Sequence, residues 1–472
     1  MYKKSLMPRY HSPLMQMLII SGVCFLGPGM FNALNGLGGA GQLDARTTSD
    51  ANAALYASFA IFSIIGGGIV NMAGVRIPTA ISCLTYALYT ATYIHYNHTH
   101  NGLLTILAGV VLGVGGGILW TAQGVIIVSY PSENEKAKFI SIFWVVFNVG
   151  GLLGGVLPFA INFSESGALT DSVYMVFVVL ECVGACVALM LAPPSTIVRD
   201  DGSRATILQA NTGLSEEATR VLRVFRNKWM LMLAPMSFAS NFFYGYCFSV
   251  YNGAVFTPRT RGFNNLLYWT ASIISSIALF ALLDNARYAR RVRGIYAVCV
   301  VFAASCAVWA GALIVQLRYS RGGEFTDYPG GLLDFLQTRA AGPIAVYFFM
   351  GVVDSWYQNM CYWIIGTLTC DARTTARYIG FHKGIQSVGA AVAWQLVARN
   401  VPFVAQLAVN WAVLVVSLPS MACVVMRIEE RALDDRLMYL SPRTNKSFVS
   451  HNSGFEMSAT PKKPNRLTAA II

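Results

Sequence analysis

The chain has 472 residues, of which 55% are hydrophobic and only 12% are charged, and its formal net charge at pH 7 is +12. A typical soluble protein carries about 25% charged residues, so this composition excludes an ordinary soluble domain and predicts an integral membrane protein. The basic excess does not indicate a nucleic-acid partner, because Lys and Arg are concentrated in alternate connections between apolar segments.

Twelve apolar stretches follow one another along the chain, six on each side of a basic hydrophilic connection. Each is close to the roughly 20 residues that an α-helix needs to cross a bilayer. The predicted spans are 14–34, 52–72, 77–95, 102–128, 139–161, 172–192, 229–250, 266–283, 295–316, 341–368, 379–398 and 402–425. We therefore predict an all-α membrane protein with twelve transmembrane helices in two six-helix bundles, 14–192 and 229–426.

The remaining segments are predicted to be an N-terminal tail (1–13), a central connection with an amphipathic helix (193–228) and a mostly disordered C-terminal tail (427–472). Because the connections on the side of both termini hold most of the Lys and Arg residues, the positive-inside rule places both termini in the cytoplasm. Two candidate glycosylation sequons, at Asn97 and Asn162, then fall on the opposite side, and whether they are used stays open. Whether the membrane is the plasma membrane or an internal one stays open.

A short motif recurs between spans 2 and 3 and between spans 8 and 9. The first copy reads G-x-x-x-N-x-x-G-V-R over 67–76 and includes Asn71 and Arg76; in the second copy Asp284 precedes several arginines. The pattern resembles the G-x-x-x-D-x-x-G-[RK] signature of the major facilitator superfamily, whose acidic and basic residues form a cytoplasmic latch. The resemblance implies a gating role for Asn71, Arg76 and Asp284. The alternative is short-turn chemistry combined with positive-inside arginines.

Glycines recur every four residues in the fourth span, at Gly109, Gly113 and Gly117, and the fifth span has two overlapping G-x-x-x-G pairs within 150–155. In lipid, rows of glycine let helix backbones approach closely. We predict tight helix contacts here; a role of the fifth span specific to exchange is the alternative.

Three charged residues lie inside predicted spans: Glu181, Asp354 and Lys383. A charge near the bilayer centre costs on the order of 3 kcal/mol, so each is a candidate functional residue. Asp354 shares a helical face with Gln358, and we hypothesise that it binds substrate or a proton with Lys383, beside His382, as its counter-ion. The structural alternative is that Asp354 and Lys383 only neutralise each other. Glu181 either faces a cavity or takes up a proton and stays neutral.

Four blocks of sequence in both halves carry a family resemblance. They are 27–42 (GPGMFNALNGLGGAGQ), 119–131 continued by 143–148 (LWTAQG and FWVVFN), Asp354 with Gln358 and 362–363, and 376–387 (ARYIGFHKGIQS). These blocks are similar to the Unc-ninety-three-like membrane proteins, particularly their fungal branch. Where that family most often has Tyr before the lysine, this chain has His382, whose charge can change near neutral pH.

The resemblance implies the major facilitator fold, with two bundles around a central cavity. Some members of the family look like transporters, whereas others regulate ion channels or escort receptors between membranes. We found no nucleotide-binding, hydrolase or recurrent metal-ligand motif, so neither catalysis nor a cofactor or metal is expected.

We therefore expect a secondary active transporter of a small molecule or ion that works by alternating access, with proton coupling through Asp354 or Glu181 as a hypothesis. The expected binding or coupling residues are Trp120, Gln123, Asn148, Glu181, Asp354, Gln358, His382 and Lys383, with Asn32 and Asn35 as gating residues. The main rival is a non-transporting regulator or escort of another membrane protein, such as a channel or receptor. A third hypothesis is a passive channel.

Overall fold

The computed structural model of the chain describes residues 9–41, 45–132, 135–161, 169–199, 214–285, 287–319, 331–369 and 372–428. The N-terminal half contains α1 (Pro13–Leu26), α2 (Pro28–Gly36), α3 (Ala45–Ala73), α4 (Arg76–Thr99), α5 (Leu103–Ser129), α6 (Lys136–Ile161) and α7 (Asp171–Ala188). The central connection contains α8 (Leu214–Val224). The C-terminal half contains α9 (Lys228–Met232), α10 (Ala234–Ala239), α11 (Gly253–Val255), α12 (Pro258–Leu283), α13 (Arg290–Tyr319), α14 (Ala341–Leu368), α15 (Ala372–Ala398) and α16 (Phe403–Val425). Asn162 and the C-terminal tail from residue 429 lie outside the described residues.

Two of the predicted spans are interrupted. The first is divided into α1 and α2 at Gly27, whose φ of −98° and ψ of −90° are not helical. Pro28 starts the second segment, where its missing N–H costs no helical hydrogen bond. The seventh span, predicted as one helix over 229–250, consists of α9, α10, a π-helical segment (Gly245–Asn252) and α11. Because π-helical segments are rare and are frequently found at functional sites, the interruption directs attention to this region.

Eight segments of the described part are long and apolar enough to cross a membrane: the α1–α2 pair, α3, α5, α6, α7, α12, α13 and α16. The chain is therefore an integral multi-pass membrane protein. The long helices α4, α14 and α15 fall outside this set because they carry more polar side chains; α14, for example, contains Asp354, Gln358 and Asn359. The pieces of the seventh span are too short. Length and apolarity alone thus do not establish the predicted count of twelve transmembrane helices.

The glycine row of α5 lies against α3. A Cβ atom added to Gly109 would lie 2.6 Å from the carbonyl oxygen of Ala51, and one added to Gly113 would lie 2.1 Å from that of Leu55. Gly117 makes a similar contact with the α3 backbone. The predicted tight contact is confirmed, because a larger residue at these positions would separate the two backbones.

Replacement of Gly113 by Ala is expected to lower the melting temperature of the purified protein in detergent. The added methyl group meets the Leu55 backbone, and overpacking of this kind costs about 1–3 kcal/mol or more. Gly342→Ala is the matched control, because a Cβ atom at Gly342 meets nothing within 4 Å. Since Ala favours a helix over Gly by up to about 1 kcal/mol, the control should be unchanged or slightly more stable. Equal melting temperatures for the two variants would contradict the close α3–α5 contact.

The basic residues of the recurring motif bind helix ends. Arg76 Nε donates to the carbonyl oxygen of Leu191, after α7, at 2.7 Å, and Arg293 Nη1 donates to the last carbonyl of α12 at 2.6 Å. Helix C-termini carry partial negative charge, so an arginine stabilises them. Asn71 is buried, and Asp284 is exposed at the end of α12. The motif thus ties helix ends together in both halves, and its gating role stays a prediction.

Candidate functional site

A cavity lies between the two halves, with a volume of about 530 Å³ that includes any space open to solvent. The helices α2 to α6 form one wall, and α14, α15 and the segment after α10 form the other. The lining residues are Pro28, Phe31, Asn32, Leu55, Tyr56, Phe59, Tyr86, Leu112, Trp120, Trp144, Phe147, Asn241, Tyr244, Gln358, Lys383 and Gln386. The wall is mostly aromatic and apolar with a few polar groups, as is typical of small-molecule sites.

The predicted binding and coupling residues, together with Asn32 and Asn35, divide into two groups. Asn32, Trp120, Gln358 and Lys383 line the cavity. The others are buried but do not line it: Asn35, Gln123, Asn148, Glu181, Asp354 and His382. The sequence therefore located part of the cavity wall, together with several buried groups around it.

Lys383 is the basic side chain of the cavity wall. Its Nζ donates a hydrogen bond to Gln386 Oε1 at 2.7 Å. It also lies 4.5 Å from the ring centroid of Trp120 and 5.3 Å from that of Tyr362, within the range of a cation–π interaction. The side chain is buried, so these neighbours replace much of the water that a free ammonium group would bind.

Two glutamines connect Lys383 with Asp354. Gln386 accepts from Lys383 and donates through Nε2 to Gln358 Oε1 at 3.2 Å. Gln358 Nε2 in turn lies 3.4 Å from Asp354 Oδ1 and donates to the Ser240 carbonyl at 2.7 Å. The charged residues are thus joined by a hydrogen-bonded chain instead of the predicted direct pair, because both glutamine side chains lie between them.

Asp354 lies behind the cavity wall and is held by tyrosines. Tyr268 donates to Oδ2 at 2.8 Å, and Tyr244 lies 3.2 Å from both carboxylate oxygens. Among the described residues, no Lys or Arg nitrogen lies within 4 Å of the carboxylate. Because Tyr244 also lines the cavity, one side chain separates the carboxylate from a bound solute.

Two further predicted residues contact Tyr362, one of the two rings near Lys383, without lining the cavity. Gln123 of α5 accepts a hydrogen bond from Tyr362 of α14 at 3.1 Å and so links the two halves. His382 Nδ1 lies 2.9 Å from Ser237 Oγ, and its ring packs edge-on against Tyr362. His382 therefore supports the ring that contacts Lys383.

Glu181 lies away from the cavity, between α7 and α4. Thr90 donates to its Oε1 at 3.1 Å, whereas Oε2 has no hydrogen-bond partner among the described residues. Its side chain is fully buried. Asn148 of α6 is also buried. Since neither residue lines the cavity, any role of theirs in binding requires a different conformation.

The halves are joined at one end of the cavity by asparagines. Asn252 Nδ2 donates to the Gly36 carbonyl at 2.8 Å, and Asn265 Nδ2 donates to the Ala33 carbonyl at 2.9 Å. Both carbonyls belong to the last turn of α2, beyond the residues that line the cavity. We call Asn252, Asn265 and these two carbonyls the asparagine latch. The predicted gating residue Asn35 lies in the same turn and accepts from Asn52 at 2.8 Å.

At the other end of the cavity, α15 packs closely on α3. A Cβ atom added to Gly380 would lie 2.6 Å from the Ser63 carbonyl oxygen, and one added to Gly384 would lie 3.1 Å from that of Ala60. Ala60 and Ser63 follow the cavity-lining residues on α3, whereas Gly380 precedes both lining residues on α15 and Gly384 lies between them. We call this region the α3–α15 contact. The cavity therefore lies between two separate closures, each made by residues from both halves.

The predicted glycosylation site Asn97 lies within α4. Its Nδ2 donates to the Leu169 carbonyl at 3.1 Å and to Asp171 Oδ1 at 2.7 Å. A glycan on this nitrogen would displace both interactions. Modification of Asn97 stays a prediction.

Sequence reasoning missed the tyrosines around Asp354 and both asparagines of the latch. Tyr244 and Tyr268 fall inside the predicted spans 229–250 and 266–283, where no sequence pattern distinguishes them from other aromatic residues. A usable signal existed for Asn265, which with Asn264 forms a pair of amides next to an apolar span. Asn252 lies at the end of a π-helical segment that no sequence period predicts.

Comparison with known proteins shows the family. The family described as "Ion channel regulatory protein UNC-93" matches residues 40–424. UNC93-like protein 1 of Arabidopsis thaliana is 41% identical over 431 residues, which cover 90% of this chain and 93% of that protein. UNC93-like protein C922.05c of Schizosaccharomyces pombe is 40% identical over 410 residues, which cover 87% of this chain and 81% of that protein. A plant and a yeast protein are about equally similar, so membership of the fungal branch stays a prediction.

A solved structure with the same fold is the major facilitator superfamily transporter FucP in its outward conformation. The TM-score is 0.60 at 12% identity, and the match covers 89% of this chain and all of FucP. At this identity the likeness concerns the fold alone. Neither this fold nor the matched family is a class of enzymes. The predicted resemblance is thus confirmed, and the chain belongs to the UNC-93 family and has the architecture of the major facilitator superfamily.

Proposed function

We propose that this protein is a secondary active transporter that moves a small molecule or ion by alternating access. The observation that carries the proposal is the central cavity between two closures, the asparagine latch and the α3–α15 contact. Opening one closure at a time would expose the cavity first to one side of the membrane and then to the other. Alternating access in transporters built from related halves works in this way.

The proposal includes twelve spans, with α4, α14, α15 and the interrupted seventh segment crossing the membrane alongside the eight apolar ones. The polar side chains that lower the apolarity of α14 and α15 include Gln358, Lys383 and Gln386, which face the cavity. Polar residues in a spanning helix are tolerated where they line a cavity or pair with one another. Both termini would be cytoplasmic, so the α3–α15 contact would close the cytoplasmic side.

Filling the cavity tests transport directly. Leu112 is buried and lines the cavity on α5, whereas Leu107 on the same helix is 54% exposed. Leu112→Trp should lower flux at least about tenfold, because the larger side chain occupies solute volume, whereas Leu107→Trp should retain it. The measurement compares intracellular metabolites and ions in cells without the protein and in cells with each version at equal membrane abundance. No solute that follows the wild-type protein would contradict transport.

The second candidate function is a regulator or escort of another membrane protein. It is favoured by the description of the matched family, which names ion channel regulation. This function predicts a membrane protein that co-purifies equally with the wild type and with Leu112→Trp, together with unchanged solute levels. The same cells therefore distinguish the two functions, since a transporter loses solute movement when its cavity is filled.

A further inference from the structure

We propose that the central cavity binds a small organic anion with a flat apolar part. The inference rests on the proposed transport function and names the chemical class of its solute. It follows from two properties of the wall: an ammonium group without a paired carboxylate, and a high density of aromatic rings. Neither property follows from the fold.

Lys383 is the one basic side chain among the residues that line the cavity. Its Nζ has one hydrogen-bond acceptor, Gln386 Oε1, and otherwise faces the rings of Trp120 and Tyr362. Among the described residues, no carboxylate lies within 4 Å of this nitrogen. A buried ammonium group without a counter-ion is costly, so an anionic ligand that supplies the missing acceptor is favoured.

Asp354 does not provide that counter-ion. Its oxygens are already occupied by donors from Tyr244, Tyr268 and Gln358, and it does not line the cavity. The nearest carboxylate is thus kept behind the wall, while the cation remains at its surface. A carboxylate or similar anion in the cavity would therefore meet a cation and no lining acid, because the cavity-lining residues include no Asp or Glu.

The remainder of the wall suits a flat apolar group. Eight of the lining residues are aromatic: Phe31, Tyr56, Phe59, Tyr86, Trp120, Trp144, Phe147 and Tyr244. The rings of Trp120, Trp144 and Phe147 also contact one another, with centroids 5.3–6.3 Å apart. Aromatic walls of this kind usually attract cations. Here Lys383 already occupies the Trp120 face, so its charge disfavours a second cation.

The test is isothermal titration calorimetry of the purified full-length protein in detergent. The ligands are benzoate, its neutral amide benzamide, the cation benzylammonium and the non-aromatic anion cyclohexanecarboxylate. Benzoate should bind most tightly. Lys383→Gln should weaken its binding about ten- to a hundredfold, as expected for loss of a hydrogen bond to a charged group, and Lys383→Arg should restore most of it.

A matched control separates the cavity cation from a general change of charge. Lys228 also lies over a tryptophan, with its Nζ 4.9 Å from the ring centroid of Trp229, but it is outside the cavity. Lys228→Gln should leave benzoate binding unchanged. If Lys383→Gln unfolds, Gln386→Glu provides a second test, because it places a carboxylate beside Lys383 and should weaken benzoate binding without removing the lysine.

Equal or tighter binding of benzamide or benzylammonium would overturn the proposal, as would benzoate binding that survives both Lys383→Gln and Gln386→Glu. Cyclohexanecarboxylate binding as tight as that of benzoate would overturn the requirement for a flat group. If none of the four ligands binds and the cells still show a solute that depends on the protein, the anion class is wrong and transport stands. If no solute depends on the protein either, the proposed function has failed.

Discussion

Replacement of Asp354 by Asn is expected to reduce flux about tenfold or more and to abolish its dependence on pH. The carboxylate receives hydrogen bonds from Tyr244, Tyr268 and Gln358. An asparagine of the same shape offers one acceptor oxygen and one NH₂ donor, so at least one of these donors faces another donor. Hydrogen bonds to a charged group contribute about 1.5–3 kcal/mol, which corresponds to roughly ten- to a hundredfold.

The pH response follows from the hypothesis that Asp354 couples transport of the solute to uptake of a proton. A carrier that takes up a proton with its solute moves that solute faster as the pH on the uptake side falls. Asn cannot take up the proton, so Asp354→Asn should show the same residual flux at each pH. The measurement is solute uptake into vesicles at several external pH values. The control is Asp171→Asn, which changes a partly exposed carboxylate outside the cavity wall.

An unchanged pH response in Asp354→Asn would show that the proton, if one moves, is carried elsewhere. Glu181 would then be the next candidate, because it is buried with an oxygen that has no described hydrogen-bond partner. Loss of flux in both Asp354→Asn and Asp171→Asn would instead indicate general damage to the protein. The two variants therefore need equal abundance in the membrane before fluxes are compared.

Variants of the two closures are expected to open the cavity toward opposite sides. Replacing both latch asparagines, Asn252 and Asn265, by Ala removes two hydrogen bonds between the halves. At roughly 1 kcal/mol each, their loss should shift the conformational ratio about tenfold or more toward opening at the latch. Gly380→Leu should open the α3–α15 contact, because even a Cβ atom there would lie 2.6 Å from the Ser63 carbonyl oxygen.

Opening is measured through a cysteine at Asn32, which lines the cavity. A charged, membrane-impermeant thiol reagent is added to either side of sealed vesicles, and labelling without Asn32→Cys is subtracted. The latch variant should label about tenfold faster from one side, and Gly380→Leu from the other. Faster labelling from the same side in both variants would contradict two closures at opposite ends. If the positive-inside assignment is right, Gly380→Leu labels from the cytoplasmic side.

Much of the architecture was accessible from sequence because a bilayer imposes a simple constraint on the chain. Every spanning backbone must satisfy its hydrogen bonds internally, so long apolar stretches indicate helices. The glycine row at Gly109 and Gly113 was equally informative, since small residues mark the places where helices touch. The interruption at Gly27 and the π-helical segment were not predicted, because hydropathy does not record where a helix bends.

The candidate site was only partly predictable for a related reason. Asp354 and Lys383 were conspicuous because a charge in an apolar span is costly. The tyrosines that bind Asp354 were not, because Tyr244 and Tyr268 lie on segments other than α14, and the sequence does not specify which helical faces meet. A direct pair was the simplest expectation from their consecutive spans. The packing of α14 against its neighbours instead placed Tyr244 and Tyr268 around the carboxylate, beside Gln358 of the same helix.

The sequence by itself determined that this is a helical membrane protein of the UNC-93 family, because composition, apolar length and sequence blocks are properties of the chain. Only the tertiary structure decided which buried polar groups share a cavity and which lie behind its wall. It separated Lys383 from Asp354 by two glutamines and brought Asn252 and Asn265 to the end of α2. The physical reason is that a hydrogen bond depends on distances of about 3 Å between distant parts of the chain, and these are fixed by helix packing.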